Sequence, residues 1–440
     1  MSTPTQQSSL RRVLFSSAAG TTIEWYDFFL FGSAAALVFP KVFFPSSDPT
    51  TGTLLAFATY AVAFLARPLG GVLFGRMGDA VGRKAALVTT LMLTGVGTFL
   101  MGVLPSYQAI GIGAPVLLLV LRVVQGIGLG GEWGGAVTLS AEHADGEQSR
   151  ERRGLLTSTA QLGVPVGNLL ASGALVAMSA LMSDQSFYAW GWRVPFLASG
   201  LLVAVGMWTR LKVAESPLFV ASGQTHAPLK QLLVTQWKPI LLTIGMRIAS
   251  DVSYYVFAVF ALSYLTSELG LPRGWGLWAV ILGSVLQLAV IPGSAAASDR
   301  FGRRGVYMTG AALVAVWAAV AWPLLEAGTL AATLIAIAVG IAAQGVMYGP
   351  MAAFVAELYD TRVRCSGASV GYQVAAIFGG APAPLIATLL VSKFGSTTPV
   401  ALYVIGTAVL AFASAFLAVE TRHRSLGSDV AQTQTAQVHA

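Results

Sequence analysis

The sequence predicts an all-α polytopic membrane protein: twelve transmembrane helices in two pseudo-symmetric six-helix halves. Three observations lead there. Of 440 residues, 55% are hydrophobic and only 10% charged, against roughly 25% charged in a soluble domain. Apolar stretches of about 20 residues, enough to cross ~30 Å of hydrocarbon, recur from residue 13 to residue 419. Blocks of the first half also return in the second.

The expected spans are 13–39, 53–75, 85–104, 114–140, 154–181, 192–211, 239–265, 274–297, 305–324, 329–356, 365–392 and 398–419. Residues 1–12 form an N-terminal tail, 13–211 the first half, 212–238 a hydrophilic central loop, 239–419 the second half and 420–440 a C-terminal tail. Nineteen of the 26 Lys and Arg residues fall on the side of the termini. Lys41, Arg273 and Lys393 fall on the other side. Basic residues accumulate in cytoplasmic loops, so both termini are expected inside.

The same rule accounts for the net charge of +7 without a nucleic-acid partner. Cys365 is the only cysteine, which excludes an intrachain disulfide. His143, His226, His423 and His439 lie in loops or tails, so no metal site is expected and proton chemistry in the membrane falls to carboxylates. "SLRRVLFSS" (9–17) is read as a basic flank of the first span. The run after it is too long, contains acids and has no small-residue cleavage site.

The repeat is specific. In "GRMGDAVGRK" (75–84) and "SDRFGRR" (298–304), Asp79, Gly82, Arg83 and Lys84 recur 220 positions later as Asp299, Gly302, Arg303 and Arg304. "GGEWGGAVTLSAE" (130–142) is echoed by "GVMYGPMAAFVAE" (345–357). Two like halves around a central site is an arrangement transporters favour. "GIGLGG" (126–131) matches a dinucleotide-binding pattern, but that pattern needs a strand before it and a helix opening after it. Here it sits within a span, and Gly126, Gly130 and Gly134 form a small-residue face for close helix packing.

Charge inside the spans is the most informative signal. Glu24 and Asp27 lie in the first span, Arg67 in the second, Arg122 and Glu132 in the fourth, Arg247 and Asp251 in the seventh. Unpaired, seven such charges cost on the order of 20 kcal/mol, more than the ~5–15 kcal/mol by which proteins are stable. They must pair or line a wet cavity. Arg247 and Asp251 are spaced to pair along one helix face. Glu24 and Asp27 have no basic neighbour in their own span.

Uncharged polar and aromatic residues extend the pattern. Tyr26, Gln125, Trp133, Gln161, Tyr254, Tyr255, Tyr348 and Gln373 are expected to line a shared cavity, and Asn168, Gln344 and Tyr372 lie on the same stripes. Arg67, Arg122 and Arg247 are candidates to hold a substrate carboxylate, which matches the planar guanidinium fork. Asp27, Glu24, Asp251 and Glu132 are candidates to carry a proton.

"GTTIEWYDFFLFG" (20–32), "RPLGGVLFGRMGDAVGRK" (67–84), "LRVVQGIGLGGEWGGA" (121–136), "WGWRVPF" (190–196), "SYYVFAVFALSYL" (253–265), "SDRFGRR" and "RCSGASVGYQVA" (364–375) together resemble the metabolite:proton symporter family of the major facilitator superfamily. The likeness runs from about residue 12 to 420, and the first half looks most like the shikimate transporter branch. The resemblance implies the major facilitator fold, a bacterial inner membrane, and proton-coupled uptake of an organic acid by alternating access. It implies that Asp79 and Arg83, and likewise Asp299 and Arg303, latch the halves on the cytoplasmic side. It also implies that a helix 1 acid, here Asp27, faces Arg122. No cofactor is implied beyond the proton gradient; the partners are substrate, protons and bilayer, and the chain is expected to act as a monomer. Other members carry α-ketoglutarate, citrate, or proline and betaine, and "RIASDVSYY" (247–255) departs from the family beside Asp251. Zwitterion uptake, a uniporter, and an exporter with "GVPVGN" (163–168) in helix 5 stay open. A membrane enzyme would need a ligand cluster or soluble domain that this sequence lacks.

Overall fold

The structure is a computed structural model that describes residues 4–45, 47–80, 83–130, 137, 151–211, 234–359, 364–380 and 382–424. Side chains are described from residue 18 onward, apart from 75–76, 78–87, 209–211 and 364–366 within those ranges. Glu132, Trp133 and Gly134, and the side chains of Asp79 and Arg83, therefore lie outside the described residues.

Among the described residues, each of the twelve expected stretches holds a helix and no strand occurs; 131–136 and 138–140 of the fourth stretch lie outside them. The helices are α1 (Pro4–Leu37), α2 (Pro49–Ala80), α3 (Arg83–Val103), α4 (Gly113–Leu129), α5 (Arg153–Leu181) and α6 (Arg193–Leu211) in the first half. In the second are α7 (Trp237–Ser267), α8 (Arg273–Phe301), α9 (Arg303–Glu326), α10 (Leu330–Leu358), α11 (Gly367–Phe394) and α12 (Thr398–Leu417). Eight are long and apolar enough by themselves to cross a membrane, and a ninth candidate pairs Asp184–Gly191 with Arg193–Trp208 across a 42° bend.

Several spans are irregular. α7 carries a π turn at Val256–Phe260, and α11 breaks between Phe378 and Ala383. Pro68, Pro292, Pro323 and Pro350 sit inside helices, as membrane spans tolerate.

Burial separates an inner ring from an outer one. In the most apolar window of α7, 94% of residues are buried, against 33% in α12. α12 presents Val409, Phe412, Phe416 and Leu417 outward, α3 presents Val96, Phe99 and Leu100, and α9 presents Leu313 and Val316. These side chains face lipid, because hydrocarbon solvates them as well as a protein core does.

Within the first half α2 packs on α4 almost backbone to backbone. A Cβ at Gly126 would lie 2.3 Å from the Ala63 carbonyl oxygen, and one at Gly130 2.0 Å from that of Arg67. Any larger residue forces the two helices apart.

Between the halves, α2 packs on α11, α5 packs on α8 and α10, and α1 meets α7. The α2–α11 and α5–α8 contacts are one pair exchanged by six helices, so the sequence repeat is also a structural one.

One expectation needs correction. The expected spans leave the second repeated motif, 298–304, as a short polar loop between them, yet α8 runs through it to Phe301 and α9 starts at Arg303. Only Gly302 turns, with φ 98°, a left-handed backbone that strains any residue with a Cβ. Asp299 thus stands on the last turn of a helix, with a fixed direction in which to reach.

Candidate functional site

Two polar clusters lie at mid-height, one in each half. In the first, Arg122 on α4 is fully enclosed, its guanidinium carbon 4.0 Å from the ring centroid of Phe31 and 4.9 Å from those of Phe28 and Tyr60. It donates to the Gln125 side-chain oxygen and, at 3.5 Å, to the Tyr60 carbonyl. Gln125 in turn donates to the Thr98 hydroxyl at 2.7 Å. Arg67 also lies against Phe28, 4.7 Å from its ring and 4.6 Å from that of Phe64. Both cations therefore sit on aromatic faces, which attract them through the ring quadrupole.

Asp27 belongs to this cluster. It is buried, and neither carboxyl oxygen makes a hydrogen bond. Thr98, its polar neighbour, donates to the Thr94 carbonyl at 3.1 Å and accepts from Gln125. Arg122 and Glu24 are the charges near enough to bear on it. Glu24 is half-buried one turn earlier.

The second cluster is built on α7. Arg247 and Asp251 pair at 2.6 Å along one helix face, both buried. The guanidinium lies 4.0 Å from the Tyr372 ring and 5.6 Å from that of Tyr348. Arg247 Nε and Asp251 Oδ2 remain without a hydrogen-bond partner. Beside them Gln344 donates to the Ser250 hydroxyl at 2.7 Å and accepts from Gln287 at 2.7 Å.

A residual cavity of about 10 Å³ lies between the halves at this second cluster. That volume holds at most one water. Its polar wall is Arg247, Asp251, Gln344 and Tyr348, and its aromatic wall is Trp25, Phe29, Tyr254 and Tyr255. Tyr255 joins the clusters, since its ring centroid is 5.6 Å from that of Phe64, 6.0 Å from Tyr60 and 5.9 Å from Phe28.

Six of the residues singled out from the sequence therefore meet at the cavity: Arg247, Asp251, Tyr254, Tyr255, Gln344 and Tyr348. The others stand elsewhere. Arg67, Arg122, Gln125 and Asp27 form the cluster behind the Phe28 and Tyr60 rings. Tyr26 points away, its hydroxyl donating to the Pro195 carbonyl of α6 at 2.6 Å. Gln161 donates to the Tyr348 carbonyl at 2.8 Å and Gln373 to the Gly130 carbonyl at 3.1 Å, so both tie one half to the other.

Trp25 and Phe29 were not anticipated. They are spaced i, i+4 and so share one helix face, and that spacing was the available signal.

The ends of α5, α8 and α10 form a second site, on the face that carries the loop motifs. Asp299 accepts from the backbone amides of Gly154 at 2.8 Å and Leu155 at 2.9 Å. These are unsatisfied donors of the α5 N-terminus, where a negative charge is favoured. Asp299 also pairs with Arg303 at 2.6 Å. Arg303 pairs with Glu357 at 3.2 Å, and Glu357 pairs across the halves with Arg153 at 3.1 Å. Glu357 also accepts from the Thr421 hydroxyl at 2.7 Å, and Arg153 donates to the Arg424 carbonyl at 3.0 Å. Glu357 closes the repeated Ala-Glu block, which pointed to it in the sequence; Arg153 gave no comparable signal.

Similarity to known proteins assigns the family. The family model "Sugar (and other) transporter" matches twice, over residues 13–233 and 222–428, once for each half. The inner membrane metabolite transport protein YhjE of Escherichia coli K12 is 40% identical over 428 residues, covering 95% of this chain and 96% of that protein. The chain belongs to the major facilitator superfamily.

The shikimate transporter of the same organism is 39% identical over 93% of the chain and 94% of its own length. A proline/betaine transporter of E. coli is 32% identical over 95% of the chain and 85% of its own. Among solved structures, the proton:xylose symporter XylE bound to 6-bromo-6-deoxy-D-glucose superposes with a TM-score of 0.75. It is 16% identical and covers 97% of this chain and 99% of its own. This major facilitator protein is thus a multi-pass membrane transporter of the bacterial inner membrane, and not an enzyme.

Proposed function

We propose that this transporter takes up a small organic acid together with protons, by alternating access, with the loop-motif face and both termini in the cytoplasm. The carrying observation is the cavity at the seam, where Arg247 keeps an idle Nε–H beside the Asp251 pair and five aromatic rings (Trp25, Phe29, Tyr254, Tyr255, Tyr348) line the walls. A carboxylate arriving there completes the hydrogen bonding of Arg247 and competes with Asp251 for it. We assign the proton to Asp27, enclosed with neither oxygen bonded, where a lasting bare charge is too costly to keep. Tyr255 and the Phe28–Tyr60 rings connect the two places. Shikimate-like carboxylates and dicarboxylates are the first substrates to test. The proton gradient is the sole drive, no cofactor takes part, and one chain suffices.

A second reading rests on the same walls. Aromatic faces beside Asp251 also suit the cationic centre of a zwitterion, and one relative is named for proline and betaine. One experiment separates the readings. The purified chain in proteoliposomes is offered labelled organic acids and zwitterions under an imposed inside-alkaline pH step, with and without a protonophore. Accumulation of an acid that the protonophore abolishes supports the first reading. Accumulation of betaine instead supports the second, and accumulation indifferent to the protonophore removes proton coupling altogether.

A further inference from the structure

α5 and α8 run antiparallel along one edge of the seam, and polar contacts tie them at three heights. On the loop-motif face Asp299 caps α5 at Gly154 and Leu155. At mid-height the Asn168 amide donates to Ser284 at 3.2 Å and to Tyr254 at 2.7 Å. On the far face Arg273, the first residue of α8, donates from Nε to the Ser179 hydroxyl at 2.8 Å. Its Nη2 pairs with Asp184 at 2.7 Å, and its guanidinium lies 4.4 Å from the Phe187 ring. Among the described residues, it is the one cation on that face that crosses between the halves. Lys41 reaches Tyr188 within the first half and Lys393 lies over Phe394 within the second.

The symmetry-related edge is different. There the far ends of α2 and α11 stand apart around a cleft of about 40 Å³, walled by Thr50 and Thr53 of α2, Phe260 and Ser263 of α7, and Thr388 and Ser392 of α11. Two rigid halves that rock to widen this cleft must also separate the far ends of α5 and α8, because both edges belong to the same pair of bodies. That movement pulls Arg273 off Ser179 and Asp184.

We propose that Arg273 is the clasp that holds the far face shut, and that opening to that face widens the cleft between α2, α7 and α11 as the clasp releases. The Arg273 side chain is only 14% exposed although Asp184 is 80% exposed. Ring contact and the Ser179 bond therefore fix the cation, and it loses less rotamer freedom to pairing than a free surface arginine. With the Arg153–Glu357 pair and this clasp both formed, the halves are tied at each face.

The test needs neither a substrate nor an assumed orientation. In a Cys365→Ser background, Ser263→Cys places a thiol in the cleft wall, where the parent side chain is 3% exposed. Its maleimide labelling rate is measured on purified protein in nanodiscs, where both faces meet the reagent. Arg273→Ala should raise the rate about fivefold, as loss of a linkage of roughly 1 kcal/mol would. Asp184→Asn, at an exposed position that folding does not depend on, should act in the same direction by about twofold. Lys393→Ala, on the same face but not across the seam, should leave the rate unchanged. Parent rates in both Arg273→Ala and Asp184→Asn overturn the clasp, and so does an equal rise in Lys393→Ala. If Arg273→Ala does not fold, the Asp184→Asn rate decides alone.

Discussion

Arg153 and Glu357, 204 positions apart in the chain, form an ion pair at 3.1 Å with neither side chain exposed to solvent. One belongs to each half, so any movement that opens the loop-motif face must break it. A buried pair costs far more to leave half-made than to make. This gives the closure of the loop-motif face a sharp, switch-like character that a surface pair lacks.

Glu357→Ala strands Arg153 and weakens the hold on Arg303. Thermal unfolding of the purified variant should show a loss on the order of 3 kcal/mol. Maximal transport should fall much further than affinity, which ligand stabilisation measures independently. A variant that unfolds like the parent and transports at its rate removes the pair from the cycle.

The arginines should separate in kinetics. Arg247 lines the cavity, and lysine there loses the planar fork, so Arg247→Lys should raise half-saturation by roughly tenfold or more. Arg122 is caged by Phe31, Phe28 and Tyr60, so Arg122→Lys should instead lower the maximal rate with half-saturation within about twofold. Should Arg122→Lys match the parent in both constants, that guanidinium is a packing element only.

Asp27→Asn imitates the protonated acid in size and charge. It should abolish concentrative, protonophore-sensitive uptake while internal and external substrate still exchange. Accumulation against a gradient in response to an imposed pH step would move the proton to Asp251 or Glu24.

Orientation has its own test. A cysteine replacing Thr225 in the central loop, in the Cys365→Ser background, should react with an impermeant maleimide only after cells are permeabilised. Reaction in intact cells would place the loop-motif face outside and exchange the roles of the Arg153–Glu357 pair and the Arg273 clasp.

The sequence by itself determined the spans, the duplication and the family, because each is written in local terms. Hydropathy fixes which twenty residues enter the bilayer, and a constant shift of 220 positions exposes the repeat of Asp79 and Arg83 in Asp299 and Arg303. The Arg247–Asp251 pair was legible too, since both residues stand on one helix face. Only the tertiary structure decided which of the intramembrane charges touch the cavity. Trp25 lines it while its neighbour Tyr26 bonds Pro195 on the opposite side of α1, a difference of one helical step. Arg122 is screened from it by rings that come from α1 and α2, and Glu357 finds Arg153 across two halves. These outcomes depend on how each helix is rotated and which helix it meets, and contacts between residues far apart in the chain set both.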